Sequence, residues 1–143
     1  MIEITRTRIS HVKELIDNLR EDDLKELKAM NITPKKALVL GYKKSIWTKT
    51  AIVNGRVAAI WGISGAPLSL VGTPWLLTSK HCESVSSIRF ARIYKNQVAE
   101  MLKLFPTLEN IVDASYTKAV KMLELAGFTA NSAYKGFKIC TLN

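Results

Sequence analysis

The stretch Leu108–Phe128 constrains this chain more than any other. A short apolar run (Ile111, Val112, Ala114) reads as a buried strand, and Ser115–Thr117 as a polar connection out of it. Ala119, Met122, Leu123 and Ala126 then recur at helical spacing and form one apolar stripe. Gly127 stands where a helix most often ends in the left-handed conformation that glycine alone enters cheaply. Phe128 starts another extended run. A strand, a glycine-stopped helix and a returning strand must bury the helix stripe against a second layer.

The rest of the chain continues that alternation. Ile2 and Ile4 alternate with polar neighbours over Met1–Ile9, the pattern of an edge strand. Ser10 is the expected N-cap of a helix with the stripe Val12, Leu15, Ile16 and Leu19. Asp22 and Asp23 restart a second short helix carrying Leu24, Leu27 and Met30. Thr33-Pro34 sets a cap and a first-turn proline for a third helical piece over Lys35–Gly41. Ile46–Val53 and Arg56–Ile63 read as strands joined by Asn54-Gly55, the dipeptide a tight hairpin turn favours because both centres need positive φ. Gly62, Gly65 and Pro67 break the chain into a loop, and Gly72–Ser79 is the next strand, with Pro74 restricted to its start or to an edge.

After a polar loop, Ser86 or Ser87 caps the longest helix. Its expected buried side is Ile88, Ala91, Tyr94, Val98, Met101, Leu102 and Phe105, and Pro106 stops it. Phe128–Tyr134 and Phe137–Leu142, hinged at Lys135-Gly136, close the chain. The order predicts an α+β class: a mixed, mostly antiparallel sheet with helices on both faces, in a single domain over residues 1–143.

Composition narrows the functions open to such a domain. No apolar run approaches the roughly 20 residues of a membrane span, and the N-terminus has no secretory apolar core. Cys82 and Cys140 form no C-x-x-C pair, and His11 and His81 are the two histidines, which argues against a disulfide framework, a structural zinc or any other metal site. A reducing cytosol is the natural compartment. The net charge of +9 suits an anionic partner, such as nucleic acid or a phosphate-bearing cofactor, and equally serves solubility alone.

The closing strand, glycine-stopped helix and aromatic-led strand, with the element order before them, resemble the GNAT superfamily of acyl-CoA-dependent N-acyltransferases. The resemblance implies two parallel central strands that splay apart, here Leu76–Ser79 and Ile111–Ala114, with the pantetheine arm of acetyl-CoA in the gap. Unpaired backbone N–H groups at such an edge can hold a thioester carbonyl and stabilise its oxyanion. It also implies that the pyrophosphate meets the start of the following helix, near Ser84–Ile88, where free N–H groups and the helix dipole attract anions. The cofactor-binding residues expected by position are Leu77, Thr78, Ser79, Ser86, Ser87, Arg89 and Arg92. The catalytic candidates are Ser115 and Tyr116, at the end of the second parallel strand.

Two departures from the family pattern stand out. The phosphate loop of the family carries glycines, whereas this chain has none between Ser79 and Lys103. The family's closing helix carries a tyrosine that can reprotonate the departing thiolate. Counting back from Gly127-Phe128 puts Leu123 at that tyrosine and Tyr116 at the family's asparagine, and leucine has no proton to give.

A narrower resemblance runs through Leu19–Leu27, Pro74–Thr78, Phe90–Lys95, Val98–Ala114 and Ala119–Phe128. These blocks look like a GNAT-like family of tailed bacteriophages that includes the internal virion protein of short-tailed phages. That resemblance implies a phage product linked to particle assembly, with virion proteins as partners, in the host cytoplasm during infection or inside the virion.

Other side chains have an ordinary reading beside a functional one. Arg89, Arg92 and Lys95 lie about one turn apart, as a phosphate- or DNA-binding row or as the solvated face of an amphipathic helix. His81 and Glu83 are general-base candidates or plain loop residues. Trp47, Trp61 and Trp75 fall on strands, where core packing accounts for them and base stacking is the lesser reading. Lysines 35, 36, 43 and 44 would disfavour a basic acceptor. Three functions remain open: a GNAT-fold assembly protein with an eroded acyl-CoA site, a working acetyl-CoA-dependent N-acetyltransferase, and a basic nucleic-acid-binding module.

Overall fold

A computed structural model of the chain describes residues 2–66, 68–132 and 136–143. The strands are β1 (Ile2–Arg6), β2 (Trp47–Val53), β3 (Arg56–Ser64), β4 (Val71–Thr78), β5 (Thr107–Asp113), β6 (Thr129–Ser132) and β7 (Phe137–Leu142). The helices are α1 (Ile9–Asn18), α2 (Glu21–Ala29), α3 (Pro34–Lys44), α4 (Ser87–Leu102) and α5 (Thr117–Leu125), with a 3-10 turn at Lys80–Ser84. The strands are ordered β1-β2-β3-β4-β5-β7-β6 in a mixed sheet; among the described pairings β4 and β5 run parallel and the others antiparallel. Among the described residues no helix is long and apolar enough to cross a membrane.

The chain divides into two compact units, one comprising Met1–Ser64 and Trp75–Ser84, the other Gly65–Pro74 and Val85–Asn143. In the first unit, Asn54 (φ 50°) and Gly55 (φ 78°) make the tight turn between β2 and β3. Past the turn, β3 carries a bulge, since Ile52 faces Val57 but Ala51 faces Ala59. The displaced backbone is satisfied from outside the hairpin. Glu14 Oε2 on α1 accepts the Val57 N–H at 2.6 Å, and the Ser79 hydroxyl and amide donate to the carbonyls of Val57 and Ala58 at 2.6 and 2.8 Å.

The apolar core of this unit is Val12, Leu15, Leu19, Leu27, Leu38, Val57 and Ile60, with Trp75 and Leu77 packed against it. Trp75 is locked by a bond from Nε1 to Ser45 Oγ at 2.7 Å and lies so close to Gly62 that a Cβ there would sit 2.8 Å from the indole nitrogen. Trp61 is fully buried, and Trp47 carries Lys49 Nζ 4.9 Å above its ring. Packing thus occupies Trp61 and Trp75, while Trp47 is half-buried.

In the second unit α4 packs on β5 and against α5. Phe90, Ala91, Tyr94, Val98 and Met101 form its buried side, and Phe90 and Tyr94 stack with ring centres 6.5 Å apart. Between β4 and β5 the parallel ladder covers Val71↔Thr107 and Gly72↔Leu108 and then stops. At Pro74 the carbonyl is met by a side chain instead, Asn110 Nδ2 donating at 2.9 Å. The described β4–β5 ladder thus covers the first two residues of β4. Gly127 (φ 107°) ends α5 as its position suggests.

Several expectations are corrected. Arg8, not Ser10, caps α1, and His11 Nδ1 accepts the Arg8 N–H at 3.0 Å. On α2 the buried side is Asp23 and Leu27, while Leu24 and Met30 are exposed. Ile88 is 66% exposed, because Phe90 begins the buried side of α4 in its place. On α5 the buried side holds Val120, Leu123 and Ala126, with Ala119 and Met122 only half-buried; apolar residues at both sets of positions left the periodicity unable to choose. Ile111 is exposed, since β5 buries one face through Leu108 and Val112. Pro67, Tyr134 and Lys135 lie outside the described residues.

Candidate functional site

The end of β4 is built by the first unit alone. β4 delivers Leu77, Thr78 and Ser79 in succession, and alternation turns their groups to different neighbours. Leu77 packs on the apolar core. Ser79 is fully buried, with its amide and hydroxyl used at the β3 bulge. The backbone of Thr78 points the other way, to the junction of α1 and α2. There the Arg20 N–H donates to the Thr78 carbonyl at 3.0 Å, and Leu19 forms an antiparallel bridge with Ser79.

Asp23 completes the closure. Its Oδ2 accepts the Thr78 amide at 2.8 Å and the Thr78 hydroxyl at 2.5 Å. Burial pushes the Asp23 carboxyl above its ordinary value, opposed by the two Thr78 hydrogen bonds and the Arg20 charge. The Thr78 groups expected to meet a thioester are thus engaged within the protein itself. The sequence reading gave Asp23 only the part of restarting a helix with Asp22. The available signal was its spacing, four residues from both Leu19 and Leu27, which are buried with it.

The 3-10 turn that follows places Cys82 in the interior, where burial above all raises its thiol to about 11. His81 is half-buried, and its Nε2 has no hydrogen-bond partner among the described residues; Glu83 is exposed.

In the second unit, Ser86 Oγ accepts the Arg89 N–H at 3.2 Å and so serves as the N-cap of α4. Phe90 donates to the Ser86 carbonyl. This leaves the amides of Ser87 and Ile88 as the first-turn groups with no acceptor inside the helix. Ser87, Arg89, Arg92 and Lys95 are all exposed. At the end of β5, Asp113 Oδ1 accepts the Ser115 amide at 2.8 Å and hydroxyl at 2.7 Å, and these bonds hold the Asp113 carboxyl below its usual value. Tyr116, half-buried, stands at the N-cap of α5.

The sixteen residues of α4 rise about 24 Å and the seven of β5 return about 23 Å. Both belong to the second unit, where α4 packs on β5 and against α5. The structure groups Leu77 with Thr78 and Ser79 in one unit, and Ser86, Ser87, Arg89 and Arg92 with Ser115 and Tyr116 in the other.

This fold has close counterparts among solved structures. A GNAT-family acetyltransferase from Streptococcus pneumoniae superposes with a TM-score of 0.69 at 16% identity, covering 99% of this chain and 98% of that one. The GNAT domain of S. lividans PAT gives 0.74 at 12% identity, over 99% and 89% of the two chains. The chain has the GNAT fold. PaiA N-acetyltransferase from Thermoplasma acidophilum, solved in complex with coenzyme A, matches with a TM-score of 0.70 at 11% identity, over 99% and 98% of the two chains. No protein-family model matches the chain, and no curated protein sequence is similar to it.

Leu123, the residue counted to the family's tyrosine, is buried against the core of its unit and offers no proton. Of the segment expected to meet a pyrophosphate, Ser84–Ile88, Ser84 ends the 3-10 turn Lys80–Ser84 and Ser86 caps α4, and no glycine lies in it.

Proposed function

We propose that this is a phage-encoded GNAT-fold protein acting in particle assembly through protein contacts, with an acyl-CoA site that no longer supports acyl transfer. The observation that carries this reading is the engagement of both Thr78 backbone groups, the amide by Asp23 and the carbonyl by Arg20. A thioester carbonyl needs a free donor, and displacing a buried carboxylate from two hydrogen bonds opposes binding there. The residues at Thr78 and Ser79 therefore do not fit the acyl end of the cofactor. Leu123, without a proton to give, supports the same conclusion. The phage and assembly part rests on the sequence resemblance across Leu19–Leu27, Pro74–Thr78, Phe90–Lys95, Val98–Ala114 and Ala119–Phe128.

Two measurements test it. The purified protein with acetyl-CoA and a panel of amine acceptors is expected to release no free thiol above the uncatalysed rate. Mass spectrometry of purified particles of the phage that encodes it is expected to find the chain. Steady turnover with any amine would overturn the first part, and absence from particles and assembly intermediates alike the second.

Two observations favour an active acetyltransferase as the second reading. The β4–β5 ladder ends at Gly72↔Leu108, and the exposed Arg89 and Arg92 lie in the first turns of α4, where anions are favoured. In that reading Arg89, Arg92 and the Ser87 amide would hold cofactor phosphates, and Ser115 and Tyr116 would stand nearest the reacting groups.

A further inference from the structure

The exposed face of β5 and β7 is unlike the rest of this chain. Antiparallel pairing puts Glu109 opposite Thr141, Ile111 opposite Ile139 and Asp113 opposite Phe137, so these six side chains share one face. The opposite face buries Leu108, Val112 and Cys140. On the shared face Ile111 is 59% exposed and Phe137 42%. An apolar strip lies there between two carboxylates. The one basic residue in β5, β6 and β7 is Lys138, which pairs with Val112 on the buried side. In a chain of net charge +9, an acidic and apolar face is a local reversal of sign. The hydrogen bonds from Ser115 keep Asp113 ionised, which fixes that sign.

We propose that this face binds a polypeptide segment of a partner protein that presents two cationic side chains flanking an apolar one. Glu109 and Asp113 are four residues apart on one strand, a span of about 13 Å, with Ile111 midway. An extended partner matches that spacing with Lys or Arg at its first and fifth positions and an apolar residue at the third. A second copy docked by the same face would oppose carboxylate to carboxylate, which is penalised, so complementarity selects a different, basic partner. The inference does not depend on how the cofactor site is read.

The probe is a capped seven-residue peptide of threonine with lysine, leucine and lysine at its second, fourth and sixth positions. Its titration into the isotopically labelled full chain is followed by amide NMR. The expected result is saturable shifts concentrated at residues 109–113 and 137–141, and none with glutamate in place of lysine. Glu109→Lys is expected to weaken the peptide roughly fivefold or more, and Ile111→Ser to weaken it too. Ile111 is exposed and Glu109 half-buried, and if either variant fails to fold, the wild-type comparison of the two peptides decides. Shifts elsewhere, no saturation, or equal binding of the glutamate peptide would overturn the proposal. So would concentration-dependent shifts of the same amides without peptide, which would assign the face to a second copy.

Discussion

Asp23 and Thr78 lie 55 residues apart in sequence, and one carboxylate oxygen of Asp23 takes both the amide and the hydroxyl of Thr78. The pair fastens the first turn of α2 to the last residue of β4. Both residues are buried, so truncation of the acid leaves two donors without an acceptor. Asp23→Ala is expected to cost about 2–4 kcal/mol, read from urea unfolding with an unchanged m-value.

The same carboxylate gives a pH signature of unusual sign. Its folded-state value lies above the unfolded one, chiefly through burial. The folded state therefore holds the proton more tightly. The associated stability is fully present below the unfolded value and is lost as pH rises through the folded one. Wild type measured against Asp23→Asn, which removes the titration, is expected to gain relative stability on acidification from neutral pH. A difference that is flat with pH would contradict this.

Glu14 is the second long-range anchor. Its Oε2 holds the Val57 N–H at 2.6 Å and Arg56 Nε at 3.3 Å, where the β3 bulge would otherwise leave the Val57 amide unpaired. Glu14→Ala is expected to destabilise by about 1–3 kcal/mol, mostly through the orphaned amide. Arg56→Ala is expected to cost under about 1 kcal/mol, because that ion pair is half-exposed and screened. Equal effects from the two substitutions would shift the weight to the ion pair.

Cys82 reports on the interior of the first unit. With its thiol raised to about 11, only about one molecule in a thousand carries a thiolate at pH 8. Alkylation by iodoacetamide under native conditions is expected to be roughly a hundredfold slower than for a free thiol, and to reach the free rate on unfolding. Mass mapping of the modified peptide distinguishes it from Cys140, which is also free and buried.

Much of the fold was legible because local rules and tertiary demands coincide in this chain. Asn54-Gly55 has the positive φ its turn requires, Thr33 and Ser86 cap α3 and α4 through their hydroxyls, and Gly127 ends α5 in the left-handed region. Periodicity failed where apolar residues crowd both sides of an element. On α5 it could not separate Ala119 from Val120, and on β5 the run Ile111-Val112 looked buried on both faces although only Val112 is.

The candidate site was less legible for a different reason. The positions of Ser115, Tyr116 and the α4 start follow from element order, which patterning reveals. What engages Thr78 does not, because Asp23 and Arg20 reach it across more than 50 residues and resemble ordinary surface charges of a helix start. Asn110 meeting the Pro74 carbonyl is hidden in the same way. Side-chain bonds to distant backbone leave no periodic trace.

Calorimetric titration of the full chain with acetyl-CoA tests the central claim most directly, with an Arg89→Ala/Arg92→Ala variant as control. Thr78 committed to Asp23 and Arg20 predicts no saturable heat for the wild type, and the same flat trace for the variant. A saturable micromolar isotherm in the wild type that the double variant loses would contradict it and establish a working cofactor site.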